Sequence, residues 1–155
     1  MRKEVKTQAK VGVGVEAFWS ALSKDLTFVL PKAIPNLVKD VQVIEGIGGL
    51  GTVMLFNFGS DVPNMMYQKE KIVEFDESLH IIAQQVIEGG HLNFGFTSYK
   101  TIFQLTASGE SETTVDFMVV YETEAEEETH MPLQTTKSTL TFIKCLENYL
   151  LNQPS

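Results

Sequence analysis

Two polar side chains of the segment 67–72 are of types that suit hydrogen bonding to a small molecule. On a β-strand, Gln68 and Glu70 would share one face, and Lys69 and Lys71 would share the other. Since lysines tend to face solvent, the amide and the carboxylate would point into the protein. Burying such groups is costly unless they are hydrogen-bonded, and a ligand with N–H donors and ring acceptors would satisfy both. An edge strand with two solvated faces is the other explanation, and the pattern alone favours it.

A second set of candidate residues lies in the last periodic segment, residues 133–151, which is long enough to form a substantial helix. One stripe of this helix begins with threonines and continues with bulky apolar groups: Thr135, Thr139, Phe142, Leu146 and Tyr149. A helix packed on a solid core would carry apolar residues along its whole inner face. The hydroxyl groups therefore indicate either an exposed helix start or a surface that meets a ligand with polar edges. Because most of the chain reads as strand and needs this helix as its cover, a cavity is favoured.

The rest of the chain predicts the α+β elements that would position these side chains. Residues 4–11 alternate as a first strand, a short helix covers Val15–Ser23, and a second short helix follows until Pro31 disrupts it and Pro35 ends it. Short links rich in Gly, Asp and Ser separate the later alternating segments, which is typical of antiparallel hairpins. Those segments lie at residues 41–43, 53–58, 67–75, 79–87, 99–105 and 115–121. We expect one domain over residues 1–155, with a curved antiparallel sheet and the long helix last.

Composition excludes several classes of function. The chain has 155 residues and a net charge of −8, and clustered Lys and Arg, which phosphate contacts require, are lacking. No apolar run approaches the roughly 20 residues that span a bilayer. The single cysteine, Cys145, cannot form an internal disulfide, which favours a reducing compartment. We therefore expect a cytoplasmic protein whose partners include neither nucleic acid nor membrane.

The motifs associated with catalysis or metal binding all have simpler structural explanations. The glycine-rich run at residues 45–52 has no Lys before Thr52 and no helix after it, so a structural hairpin is favoured over a phosphate loop. His80, His91 and His130 are isolated from one another, without zinc-site spacing. The acidic run at residues 122–128 does not match a calcium loop, and a solvated connection is favoured. No serine or cysteine has a neighbouring base, so we expect no catalytic residue, metal or cofactor, and not an enzyme.

The glycine-rich run and its flanking segments resemble the pathogenesis-related class 10 proteins, the birch-pollen-allergen superfamily, over essentially the whole chain. The residues that carry the resemblance are Glu45-Gly-Ile-Gly-Gly-Leu-Gly-Thr52, Pro31-Lys-Ala-Ile-Pro35 and Val86-Ile-Glu-Gly-Gly90. The family usually has Asn or Asp where Ile47 stands and often Pro at Leu50, and these departures concern the loop rather than the fold. Within the family the chain is most similar to the legume cytokinin-specific binding proteins, through residues 22–25, 38–42, 56–58, 74–78 and 138–140.

This resemblance implies a helix-grip fold, in which a seven-stranded antiparallel sheet wraps around the last helix and encloses a large hydrophobic cavity. It also implies that Gln68 and Glu70 are polar anchors of a ligand, and that Thr139 and Phe142 contact it from the helix. The apolar side chains expected around the ligand are Leu22, Leu26, Phe56, Phe103, Phe117 and Leu146.

The function implied is reversible capture of a small plant hormone, an adenine-type cytokinin first. A gibberellin-type acid is an alternative, although its carboxylate would oppose an ionised Glu70 unless burial protonated that group. Another is a ligand-gated receptor that docks a phosphatase, with residues 63–64 and 89–91 as gate loops, although the sequence shows no partner surface. A third is weak ribonuclease or condensing activity. Condensation needs a placed acid or lysine in the pocket, and Glu70 is the only inward carboxylate.

Overall fold

The protein is described by a computed structural model over residues 2–60, 66–93, 95–123 and 131–152, with residues 131–136 described by their backbone alone. Two short helices follow the first strand, and a long helix comes last. The elements in chain order are β1 Arg2–Val11, α1 Val15–Ser23, α2 Leu26–Ala33, β2 Val38–Glu45, β3 Val53–Phe58, β4 Tyr67–Asp76, β5 Ile81–Gly89, a 3-10 turn Gly90–Asn93, β6 Phe96–Gly109, β7 Glu112–Thr123 and α3 Met131–Leu151.

The strands form one seven-stranded antiparallel sheet in the order β1-β7-β6-β5-β4-β3-β2. Strands β2 to β7 therefore run as a meander, and β1 pairs with β7 at one edge. Register shifts interrupt the pairing within β2–β3, β4–β5 and β6–β7, and such bulges bend strands and increase their twist. The predicted fold, a curved sheet with two early helices and a long last one, is confirmed.

The glycine-rich run forms the loop between β2 and β3, with a strand rather than a helix after it. Gly46 has a φ of 91°, and a Cβ there would lie 2.9 Å from Thr52 Oγ1, so the loop requires glycine at this position. The backbone N–H of Gly48 donates to the same hydroxyl oxygen over 3.0 Å, and Thr52 is buried. The prediction of a structural hairpin is confirmed.

Several strands, β1, β2, β6 and β7 among them, extend beyond their predicted boundaries. Two other differences, in β5 and α2, concern a turn and a proline. Strand β5 begins at Ile81 rather than at residue 79, because Asp76 Oδ1 accepts hydrogen bonds from the backbone of Ser78 and of Leu79 and holds a turn there. Helix α2 continues through Pro31 to Ala33, so this proline does not end or break it. Residues 63–64, His130 and most of the acidic run lie outside the described residues.

The main core lies where the sheet meets α1, α2 and the second half of α3, and it includes Phe18, Trp19, Ile143 and Leu146. Glu147 links α3 to the residue after β1, because its Oε2 accepts a hydrogen bond of 2.7 Å from the backbone N–H of Gly12. A smaller cluster formed by Val86, Phe96, Tyr99, Val119 and Tyr121 lies at the other end of the sheet. In the described part of the chain, no helix combines the length and apolarity needed to cross a membrane.

Candidate ligand-binding site

A cavity of about 350 Å³ lies between the sheet and the three helices, with walls from β3, β4, β5 and β6. Its volume is within the range of roughly 300–1,000 Å³ that is usual for small-molecule sites. Eight of the ten side chains predicted to contact a ligand line it: Leu22, Leu26, Phe56, Gln68, Glu70, Phe103, Thr139 and Phe142. The position of the cavity follows from the fold, since the sheet bends around α3 while the main core fills only part of the space between them.

The other two predicted side chains, Phe117 and Leu146, are not on the cavity wall. Phe117 pairs with Phe103 across strands β7 and β6, and their ring centroids lie 6.2 Å apart. Phe103 takes the wall position and Phe117 packs in the core beside it, 3 % exposed. Leu146 lies one helical turn after Phe142, where α3 meets the main core, and is fully buried.

Gln68 and Glu70 form the polar part of the cavity wall. Strand β4 lies between β3 and β5, so the alternative of an edge strand is wrong. Gln68 is 5 % exposed, and its Nε2 donates a hydrogen bond of 2.7 Å to Glu70 Oε2. On the opposite face of the strand, the Tyr67 hydroxyl donates to Glu88 Oε2 over 2.7 Å. The inward direction, one of the two interpretations of the alternation, is therefore the one that the structure shows for both side chains.

Burial raises the pKa of Glu70 to about 7, against the hydrogen bond from Gln68, which lowers it. Glu70 retains some accessible surface because it lines the cavity, but the protein encloses its carboxyl group. Among the described lining residues there is no lysine or arginine that would stabilise the ionised form. At neutral pH both the acid and the carboxylate are populated, so the group can donate to or accept from a ligand.

The structure adds polar groups that the sequence did not place among the ligand contacts. His91, from the 3-10 turn after β5, lines the cavity next to Gln68. Gln68 Oε1 accepts a hydrogen bond of 3.1 Å from the backbone N–H of His91 and lies 2.7 Å from His91 Nδ1. Burial lowers the pKa of His91 to about 4, so its imidazole is neutral at pH 7. The polar end of the cavity is therefore a hydrogen-bonded chain of Glu70, Gln68 and His91.

Some of the missed residues had a signal in the sequence. Thr101 and Tyr99 precede Phe103 at intervals of two, and both line the cavity, as alternation along β6 requires. In the same way, Gln84 and Val86 alternate along β5 and line the wall. The segment around His91 has no such periodicity, because a 3-10 turn and the glycines before it interrupt the strand pattern.

A metal site has no support in the described residues, which contain no group of three or more His, Cys, Asp or Glu side chains that could hold an ion. Cys145 is half-buried and packs against the main core. The chemistry of the site is therefore that of one carboxyl group, two amides, hydroxyls and a neutral imidazole within apolar walls.

Comparison with known proteins finds relatives along the whole chain. Norbelladine synthase of Narcissus pseudonarcissus is 26% identical over 156 residues, covering 100% of this chain and 96% of the relative. S-norcoclaurine synthase 2 of Papaver somniferum is 26% identical, covering 99% of this chain and 67% of the relative. The crystal structure of norcoclaurine synthase from Thalictrum flavum, in complex with dopamine and hydroxybenzaldehyde, superposes with a TM-score of 0.81 at 24% identity, covering 100% of this chain and 90% of the other.

These relatives overturn one prediction from the sequence. The absence of a nucleophile with a neighbouring base led to the expectation that the chain is not an enzyme, and that expectation is wrong. Several of its relatives are named synthases, so catalysis occurs on this fold without the motifs that we sought. Condensing activity with Glu70 as the acid was only an alternative at that point, because a pKa shift caused by burial leaves no motif in a sequence.

The family is identified by a match over almost the full length. Residues 1–153 match the model of the Pathogenesis-related protein Bet v 1 family, whose members bind small hydrophobic ligands in an internal cavity. The seven-stranded sheet, the long last helix and the cavity between them are the arrangement of that family. The chain therefore belongs to the Pathogenesis-related protein Bet v 1 family.

Proposed function

We propose that the cavity reversibly binds a small plant hormone with an apolar body and a polar edge, and that an adenine-type cytokinin is the expected ligand. The observation that carries the proposal is the buried pair of Gln68 and Glu70, whose side chains meet at 2.7 Å on an otherwise largely apolar wall. N–H groups of the purine would donate to Glu70, and each such bond to a charged group contributes about 1.5–3 kcal/mol. A cytoplasmic location stays a prediction for this chain.

Burial of the hormone's tail would supply most of the affinity. Phe56, Phe103 and Phe142 line the cavity, together with leucines of α1 and α2. Apolar area removed from water contributes roughly 25 cal/mol per Å², before the costs of ordering the ligand are subtracted. The apolar wall therefore accounts for affinity, and the polar end accounts for orientation.

A gibberellin-type acid remains the alternative ligand, because a carboxyl with a pKa of about 7 is available in its protonated form. The two ligands predict opposite effects of pH. Cytokinin donors favour ionised Glu70, so their affinity should rise between pH 6 and pH 8. A ligand carboxylate favours protonated Glu70, so its affinity should fall over the same interval. Each change should approach roughly tenfold, because the ionised fraction of a group with a pKa of about 7 rises from about one tenth at pH 6 to about nine tenths at pH 8.

Calorimetry with trans-zeatin and gibberellic acid at pH 6 and pH 8 tests this proposal. Glu70→Gln should remove the pH dependence, whereas Glu74→Gln, the same change at an exposed position of β4, should retain it. If neither hormone binds the wild-type protein, hormone capture is refuted. If binding is strong but equal in Glu70→Gln, Glu70 is not an anchor.

A second candidate function is condensation of an amine with an aldehyde. It is favoured by the names of the relatives and by Glu70, whose pKa near 7 suits general acid–base catalysis. Condensation forms an imine with loss of water, so the departing hydroxyl must gain a proton and the nitrogen must lose one. Glu70 can serve as acid and then as base.

Incubation with dopamine and aryl aldehydes tests this second function. It should give product with the wild-type protein and far less with Glu70→Gln, and equal traces in both would refute condensation at Glu70.

A further inference from the structure

The ring of His91 is held from two sides at the polar end of the cavity. It stacks on Tyr99, with ring centroids 3.8 Å apart and an angle of 16° between the planes. Phe96 lies in a T-shaped arrangement with it, with ring centroids 5.5 Å apart and an angle of 78° between the planes. The ring also lines the cavity, so a bound molecule can contact it.

Hydrogen bonds determine which nitrogen of His91 carries the proton. The backbone N–H of His91 can only donate, so the Gln68 atom that faces it at 3.1 Å is the amide oxygen. The same oxygen lies 2.7 Å from His91 Nδ1 and can only accept. Nδ1 therefore bears the hydrogen. The remaining amide nitrogen of Gln68 donates to Glu70, which is consistent with this orientation.

The second ring nitrogen, Nε2, is left as an acceptor. Because burial holds the pKa of His91 at about 4, the ring is neutral at pH 7 and Nε2 carries a lone pair. Within the described part of the chain, no donor lies within hydrogen-bond distance of Nε2. Every fully buried side-chain nitrogen or oxygen there has a partner, so Nε2 must keep some accessible surface. A neutral imidazole nitrogen in an apolar wall is a strong acceptor for O–H and N–H groups.

We propose that His91 is a specificity-determining residue whose Nε2 accepts a hydrogen bond from an O–H or N–H group of the molecule in the cavity. The inference rests on the proposed binding function and adds a class of ligand to it. Ligands with a hydroxyl or amine at the polar end are favoured, and those with only ether, ester or ketone oxygens there are disfavoured. An acceptor facing Nε2 would leave both groups without a donor, which is costly in a buried site.

The first experiment examines the wild-type protein without any variant that must fold. Nitrogen-15 spectra of the three histidine rings report which nitrogen bears hydrogen, and His91 is assigned through its contacts with Tyr99. At pH 7 we expect the Nδ1–H tautomer, with an Nε2 resonance that moves when trans-zeatin is added. A charged ring, or hydrogen on Nε2, would overturn the proposal whether or not a hormone binds.

The second experiment compares paired ligands and variants by calorimetry. His91→Asn can place an N–H near the position of Nδ1 but has no group at Nε2, and His80→Asn is the matched control outside the cavity. The probes are trans-zeatin and isopentenyladenine, which differ by one hydroxyl, and 6-benzylaminopurine and 6-benzyloxypurine, which differ by one N–H. In at least one pair, loss of the donor should weaken wild-type binding roughly three- to tenfold and leave His91→Asn unaffected.

The outcomes separate this proposal from the one on which it rests. Equal donor effects in the wild type and in His91→Asn, with trans-zeatin still bound and still dependent on Glu70, would refute the role of His91 alone. A second outcome is that loss of the ligand's donor no longer weakens binding in His91→Asn, while Glu70→Gln binds trans-zeatin as well as the wild type does. This outcome would support the role of His91 and refute Glu70 as the anchor.

Discussion

Gly90 lies so close to the side chain of Gln68 that a Cβ on Gly90 would overlap Gln68 Oε1 and would stand 2.7 Å from its Cδ. Gly90 also has a φ of 48°, in the region that side chains disfavour. The absence of a side chain at Gly90 therefore allows the 3-10 turn to approach β4 and lets the amide of Gln68 reach both His91 and Glu70. The polar end of the cavity depends on this contact.

Gly90→Ala should displace the Gln68 amide and break its hydrogen bonds. We expect a loss of about 2–4 kcal/mol in the free energy of unfolding, from backbone strain and from buried groups left without partners. Gly49→Ala is the matched control, since Gly49 has a φ of 82° but nothing within 4 Å of its added Cβ. Urea unfolding of both variants measures the difference. Equal losses would mean that strain alone matters and that the contact with Gln68 does not.

Glu70→Gln should stabilise the protein at alkaline pH. The pKa of Glu70 is raised from 4.5 to about 7 on folding, so the folded state holds the proton more tightly than the unfolded state. Stability from this group is fully present below pH 4.5 and is lost as the pH rises through 7, by on the order of 3 kcal/mol. Urea unfolding at pH 5 and pH 8 should show this loss in the wild type and in Glu74→Gln. A wild-type curve parallel to that of Glu70→Gln would contradict it.

His91→Phe should change the pH dependence in the opposite direction. The pKa of His91 falls from 6.5 to about 4 on folding, so the unfolded state binds the proton more tightly. The wild type therefore loses stability as the pH falls from about 6.5 towards 4, by on the order of 3 kcal/mol, and the phenylalanine variant lacks this loss. The difference in unfolding free energy between the two proteins, measured by urea at pH 7 and pH 4.5, should shift in favour of the variant. A constant difference would show that the imidazole titrates normally.

Glu147→Ala should loosen the contact between α3 and the start of the chain. The change leaves the N–H of Gly12 without its carboxylate partner at 2.7 Å, which we expect to cost about 1–3 kcal/mol. Burial raises the pKa of Glu147, but hydrogen bonds from Gly12 and Lys144 outweigh it and hold the pKa below 4.5. This stabilisation is therefore present above pH 4.5 and is lost at lower pH.

Lys144→Ala is the control for Glu147, because the Lys144 side chain is 69 % exposed, so its ammonium group stays largely solvated in the 3.0 Å ion pair. Such a pair contributes less than about 1 kcal/mol. Chemical unfolding at pH 7 should rank the wild type and Lys144→Ala together, with Glu147→Ala below both. If Lys144→Ala is as unstable as Glu147→Ala, the ion pair rather than the bond to Gly12 is what matters.

Local pattern was enough to predict the elements and the direction of side chains within them. Alternation around Lys69 and Lys71 put Gln68 and Glu70 on one face of β4, although it did not exclude an edge strand. Helical spacing put Thr139 and Phe142 on the inner face of α3. These inferences succeed because side-chain direction repeats every two residues in a strand and every 3.6 in a helix. Boundaries were less accurate where a side chain such as Asp76 holds a turn.

Only the tertiary structure determined which inward groups meet and what charge they carry. Gln68 and His91 are 23 residues apart in sequence and are brought together by the turn at Gly90. Phe103 and Phe117 both face inward, but only Phe103 lies on the cavity wall. Which inward side chain reaches the wall depends on how the neighbouring strands pack. The pKa of Glu70 depends on how completely sheet and helices exclude water from its carboxyl. Periodicity encodes direction along one element, whereas proximity and burial arise from the assembly of all of them.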